Sequence, residues 1–110
     1  MAILSRLQLL IQFTKEEPEN PFNWYALALE NLNSDPEATA AIFDQLLNDH
    51  PSYLPTYYTS AQFFAERNKL EKAKEIFEKG ILLAGKLKEE KALKELKNTY
   101  QNFLFENDLD

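Results

Sequence analysis

Few residues in this chain could do chemistry. There is one histidine, His50, and no cysteine in 110 residues. A zinc site needs a set of Cys, His or carboxylate ligands, and His catalysis needs a positioned partner. His50 has neither a second histidine nor a thiol to work with, and it stands in Asp49-His50-Pro51, a sequence that reads as a turn. The lack of cysteine also excludes disulfides, thiolate nucleophiles and zinc-cysteine sites. Two adjacent carboxylate pairs remain, Glu16/Glu17 and Glu89/Glu90. Neighbours at i and i+1 point apart on a helix, so neither pair can share one substrate, and both read as capping and solubilising residues. No glycine loop able to cradle a phosphate and no nucleophile elbow is present. The chain is therefore expected to be no enzyme, with no cofactor and no metal.

Charge narrows the partners. Eighteen acids against twelve bases give a net charge of −6, the wrong sign for neutralising phosphates, so no nucleic-acid partner is expected. The local exception holds Lys86, Lys88, Lys91, Lys94 and Lys97, but Glu89, Glu90 and Glu95 are interspersed. Glu90 and Lys94 are an i, i+4 pair of favourable orientation, and the stretch reads as a solvated helix face. The start, Met1-Ala2-Ile3-Leu4-Ser5-Arg6-Leu7, lacks the basic leader of a signal peptide, and Arg6, Gln8 and Gln12 interrupt its apolar run. No run approaches the ~20 apolar residues that span a bilayer. A cytoplasmic protein with no membrane partner is expected.

These residues must be positioned by helices. Only two glycines occur, Gly80 and Gly85, and apolar residues recur at three- and four-residue steps almost throughout. Six helices are expected. The first covers about residues 2–15, with Ile3, Leu7, Leu10, Ile11 and Phe13 as its apolar face, and ends before Pro18. The second opens at Asn20-Pro21, a cap followed by a proline at the first helical position. The third starts at Ser34-Asp35-Pro36-Glu37, where either Ser34 (with Glu37) or Asp35 can cap it. The fourth covers about residues 53–67. The fifth is expected to be capped by Asn68 with Glu71 and to fray near Gly85. The sixth, about residues 89–106, carries the single stripe Leu96, Tyr100 and Phe103 behind Leu93. Very short turns make consecutive helices antiparallel neighbours.

Self-similarity organises these helices. Trp24-Tyr25-Ala26-Leu27-Ala28 overlays Tyr57-Tyr58-Thr59-Ser60-Ala61 at an offset of 33 residues, and Ile42-Phe43 with Leu46-Leu47 overlays Ile76-Phe77 with Gly80-Ile81 at 34. On these residues the chain resembles the tetratricopeptide repeat (TPR) family, built from helix-turn-helix units of about 34 residues. The second unit matches that family's pattern at Tyr57, Ala61, Phe64, Ala73, Phe77 and Gly80, and the first at Trp24, Leu27, Ala28, Phe43 and Pro51. The departures are Asn31, Thr39, Leu46, Ser60 and Gly85. The small residues let backbones approach, and the large aromatics fill the wedge between helices.

The resemblance implies an all-α, TPR-like α-solenoid of antiparallel helix-turn-helix repeats. Its expected divisions are an N-terminal helix (1–17), repeat 1 (20–52), repeat 2 (53–87) and a C-terminal capping helix (88–106). Met1 and the single-striped last helix suggest a complete small protein. The resemblance also implies a binding scaffold, whose concave groove is lined by the first helix of each unit. Carried over, the groove positions are Phe22, Tyr25, Leu29, Leu32 and Asn33, then Pro55, Tyr58, Gln62, Ala65 and Glu66. Phe22, Tyr25, Leu29, Leu32, Tyr58 and Gln62 are the expected site for a protein or peptide partner. A carboxylate-clamp type of groove is not expected, because Tyr25, Leu29, Tyr58 and Gln62 stand where Lys, Arg and Asn are needed. Two alternatives stay open: the last helix covers this apolar patch through Leu96, Tyr100 or Phe103, or the chain forms a homodimer through its N-terminal helix or groove.

Overall fold

Three of the five prolines sit at the start of a helix, where the missing N–H is no loss and the fixed φ is already helical. The computed structural model describes residues 4–109, and among these it forms six α-helices and no strand: α1 (Arg6–Glu16), α2 (Pro21–Glu30), α3 (Pro36–Asp49), α4 (Pro55–Glu66), α5 (Leu70–Lys86) and α6 (Glu90–Glu106). The fold is all-α, as the periodicity predicts. No helix among the described residues is long and apolar enough to cross a membrane. The chain divides into two compact units, one ending at Tyr53 and one beginning at Leu54.

In the first unit, α1 packs on α2 and α2 on α3. Side-chain caps start all three helices. Ser5 and Gln8 form a reciprocal capping box on α1, Asn20 accepts from the Phe22 N–H at 3.0 Å, and Asp35 accepts from the Ala38 N–H at 3.1 Å. Asp35, not Ser34, is therefore the cap of α3. The α2–α3 contact is close at Ala28, whose carbonyl accepts a 2.9 Å hydrogen bond from the Thr39 hydroxyl; both residues are wholly buried. Thr39 thus fills the small-residue position and bonds there as well. Leu27, Ile42, Phe43 and Leu46 complete this core.

The expected apolar face of α1 is not a buried face. Residue 3 lies outside the described residues, and Leu7, Ile11 and Phe13 are exposed; only Leu10 and Thr14 are buried. The reason is geometric: α1 packs on one neighbour, α2, which can cover only a narrow stripe of it.

In the second unit, α5 lies between α4 and α6. Its core joins Tyr57, Ala61 and Phe64 to Ala73, Ile76, Phe77 and Ala84, then to Leu96 and Phe103. Gly80 sets the α4–α5 approach. A Cβ placed there would lie 2.7 Å from the Tyr57 Cβ and 3.5 Å from Leu96 Cδ1, so no larger residue fits without moving a helix.

A backbone motif ends each helix of this unit. Asn68, Lys88 and Asp108 have φ of 61°, 58° and 54°. At each, the following N–H reaches back five residues: Lys69 to Phe64, Glu89 to Ala84 and Leu109 to Leu104. This is the Schellman arrangement. It corrects two expectations. Asn68 ends α4 and does not cap α5, whose first position is preceded by Lys69 with no side-chain cap. Gly85 is helical, so α5 continues to Lys86 and stops at Lys88.

Candidate functional site

The residues expected to form a groove fall on two surfaces, one in each unit. On α2, Phe22, Tyr25 and Leu29 follow one another at i, i+3 and i+7 and so share a face. Phe22 is 60% exposed and Leu29 41%. Tyr25 is half-buried, with its ring edge-on to Tyr53 at 5.9 Å and 69°. Tyr53 titrates above the ordinary tyrosine range because burial disfavours its charged form and Tyr25 adds to this. The repeat pattern does not supply this pairing, since Tyr53 lies in the turn after α3. Leu32, half-buried, is in the turn that follows α2.

In the second unit, Gln62, Ala65 and Glu66 come from the last two turns of α4 and line an open cleft of about 410 Å³. Phe77 and Phe103 lie beneath it, with ring centroids 5.3 Å apart. The far wall comes from α6: Thr99, Asn102 and Glu106, with Asn107 just beyond the helix. Asn107 is held by its own amide, which donates to the Phe103 carbonyl at 2.8 Å. Tyr58 and Pro55, nearer the start of α4, are not part of this lining.

The α6 wall was missed in the sequence, although a signal existed. Thr99, Asn102, Phe103 and Glu106 follow helical spacing, one step around from the Leu96–Tyr100–Phe103 stripe. That stripe packs on α5. Tyr100 and Phe103 lie 5.4 and 5.3 Å from the Phe77 ring, and Leu96 sits beside Gly80. Tyr100 also donates to Glu78 Oε2 at 2.7 Å; burial, this bond and the Glu78 charge push its pKa to about 12. Phe22 and Leu29 on α2 are exposed.

His50 is the C-cap residue of α3, its N–H donating to the Leu46 carbonyl at 2.8 Å. Among the described residues no three His, Cys, Asp or Glu side chains converge as metal ligands would.

Antiparallel helix pairs with a small residue at the crossing, α2–α3 in one unit and α4–α5 in the other, define a helical-repeat fold. The comparisons with solved structures give the kind of repeat. A solution NMR structure of a tetratricopeptide repeat domain protein from Salinibacter ruber is 31% identical over 79% of this chain and 89% of its own, with a TM-score of 0.74. A crystal structure of a tetratricopeptide repeat domain protein from the same organism is 29% identical over 76% of this chain and 94% of its own, with a TM-score of 0.71. The chain belongs to the tetratricopeptide repeat family. No protein-family model matches it, and no curated protein sequence does.

Proposed function

We propose that this chain is a non-catalytic protein-interaction module that holds an apolar or aromatic segment of a protein partner on the first helices of its repeats. The observation that carries this is the stripe on α2, where Phe22 and Leu29 are 60% and 41% exposed on the same face as Tyr25. Single exposed apolar residues are ordinary, but three aligned on one face of a scaffold helix suit an interface. Tyrosine suits such a surface, offering a large apolar ring and a hydroxyl at small entropic cost. Leu32 is the remaining member of this surface in the first unit, and Tyr58 and Gln62, on α4, are the proposed contact residues of the second.

The test compares proteins recovered on the immobilised chain with those recovered on the double variant Leu29→Glu/Tyr58→Ala. Loss of a partner from the variant, with helix content unchanged by circular dichroism, supports this surface. Equal recovery on both overturns it.

A second reading is favoured by α1, where Leu7, Leu9, Ile11 and Phe13 are each 36–41% exposed on one short helix. A homodimer through this helix would cover them. Sedimentation decides it: a strict monomer at ~100 µM leaves only dimers with millimolar constants, worth about 4 kcal/mol.

A further inference from the structure

We propose that the cleft between α4 and α6 selects a positively charged stretch of the partner, a peptide segment bearing Lys or Arg. This rests on the reading of the chain as an interaction module and adds the chemistry of one of its surfaces.

The lining has two carboxylates, Glu66 and Glu106, on opposite walls, and no cation. Among the described residues neither carboxylate enters an ion pair or a side-chain hydrogen bond. Two other acids in this unit are engaged: Glu75 with Lys79 at 2.8 Å and Glu78 with the Tyr100 hydroxyl. Two nearby cations are held elsewhere. The Arg67 guanidinium, one residue after Glu66, lies 3.7 Å over the Phe63 ring and donates to the Phe63 carbonyl at 3.2 Å. Lys72 sits 4.2 Å over the ring of Phe64. Both carboxylates are thus left facing the cleft without internal compensation.

The rest of the cleft suits the body of such a side chain. A long Lys or Arg stem packs on apolar surface while its head seeks an anion, and here Ala65 and the edge of the nearly buried Phe103 supply a small apolar floor. The amides of Gln62 and Asn102 can donate to and accept from an extended backbone. At about 410 Å³ the space is in the range of ligand clefts and holds a few side chains, not a folded surface. An acidic segment meets like charge on both walls.

The experiment is a random dodecapeptide display selection on the intact chain, on Glu66→Gln/Glu106→Gln, and on Glu17→Gln/Glu19→Gln, which removes the same charge outside the cleft. The expected result is at least a twofold enrichment of Lys and Arg over the library on the parent and on the Glu17/Glu19 variant, absent on the Glu66/Glu106 variant. Selected peptides, remade with a fluorophore, are expected to bind the Glu66/Glu106 variant at least tenfold more weakly. Selected peptides with no basic bias, or a bias that survives in the Glu66/Glu106 variant, overturn the inference and leave the interaction reading intact. Failure to select any peptide on the parent chain overturns both.

Discussion

The α2–α3 and α4–α5 pairs occupy equivalent places in the repeat yet are held by different chemistry. In the first pair the wholly buried Leu46 stands where the second has Gly80, and close approach is made at Ala28 with a hydrogen bond from Thr39. In the second pair Gly80 lets the Tyr57 side chain lie directly on the backbone of α5, and Ala61 and Ala73 are both fully buried. Helix starts differ as well: side chains cap α1, α2 and α3, but not α4, α5 or α6. The repeat thus constrains the space between its helices more than the atoms that fill it. A leucine in one unit and a bare Cα in the other can both satisfy it if their neighbours adjust.

The difference can be tested by swapping its terms. Leu46→Ala should have the largest effect, a loss of about 3–5 kcal/mol, because a fully buried leucine leaves a cavity its rigid neighbours cannot close; urea unfolding followed by circular dichroism measures it. Gly80→Ala should cost about 1–2 kcal/mol. Its gain in helix propensity is about 1 kcal/mol, and the clash with Tyr57 Cβ exceeds that. Gly85→Ala is the matched control. A Cβ there meets nothing within 4 Å, so it should gain about 0.5–1 kcal/mol. If both alanines act in the same direction, the close-approach account of Gly80 is wrong. Thr39→Val should cost about 1 kcal/mol through the lost bond to Ala28.

A smaller, pH-dependent effect belongs to the second unit. The folded state holds the Tyr100 proton to about pH 12, against an ordinary value of 10.0. The stabilisation is therefore fully present below pH 10 and is lost as pH rises through 12. Thermal melts between pH 9 and pH 12 should show this decline, and Tyr100→Phe should lessen it, leaving the part due to Tyr53 and Tyr57, which burial also raises.

Fold and site were legible in the sequence to different depths. Aromatic and small residues at 33- and 34-residue offsets place the helix pairs, because close-packed crossings accept few alternatives. Proline with Asn or Asp before it locates two helix starts, at Asn20-Pro21 and Asp35-Pro36. Asn68 misled because an asparagine before a helix also tolerates the left-handed conformation that ends the previous one, and the Schellman bonds decide in favour of the latter. The α1 face misled because apolar periodicity reports what a helix could bury, not how many neighbours it has. In the cleft, Gln62, Ala65 and Glu66 were placed by the repeat. Its acidic second wall depended on α6, where the repeat pattern gives no register, and so on tertiary packing.

The chain's one tryptophan, Trp24, donates its indole N–H to the Pro18 carbonyl at 2.9 Å, tying α2 to the turn before it. That bond gives the first unit an optical label of its own. Indole emission follows the loosening of that turn, while far-ultraviolet circular dichroism follows the helices of both units. Heating one sample with both read-outs shows whether the first unit melts with the rest of the chain or apart from it.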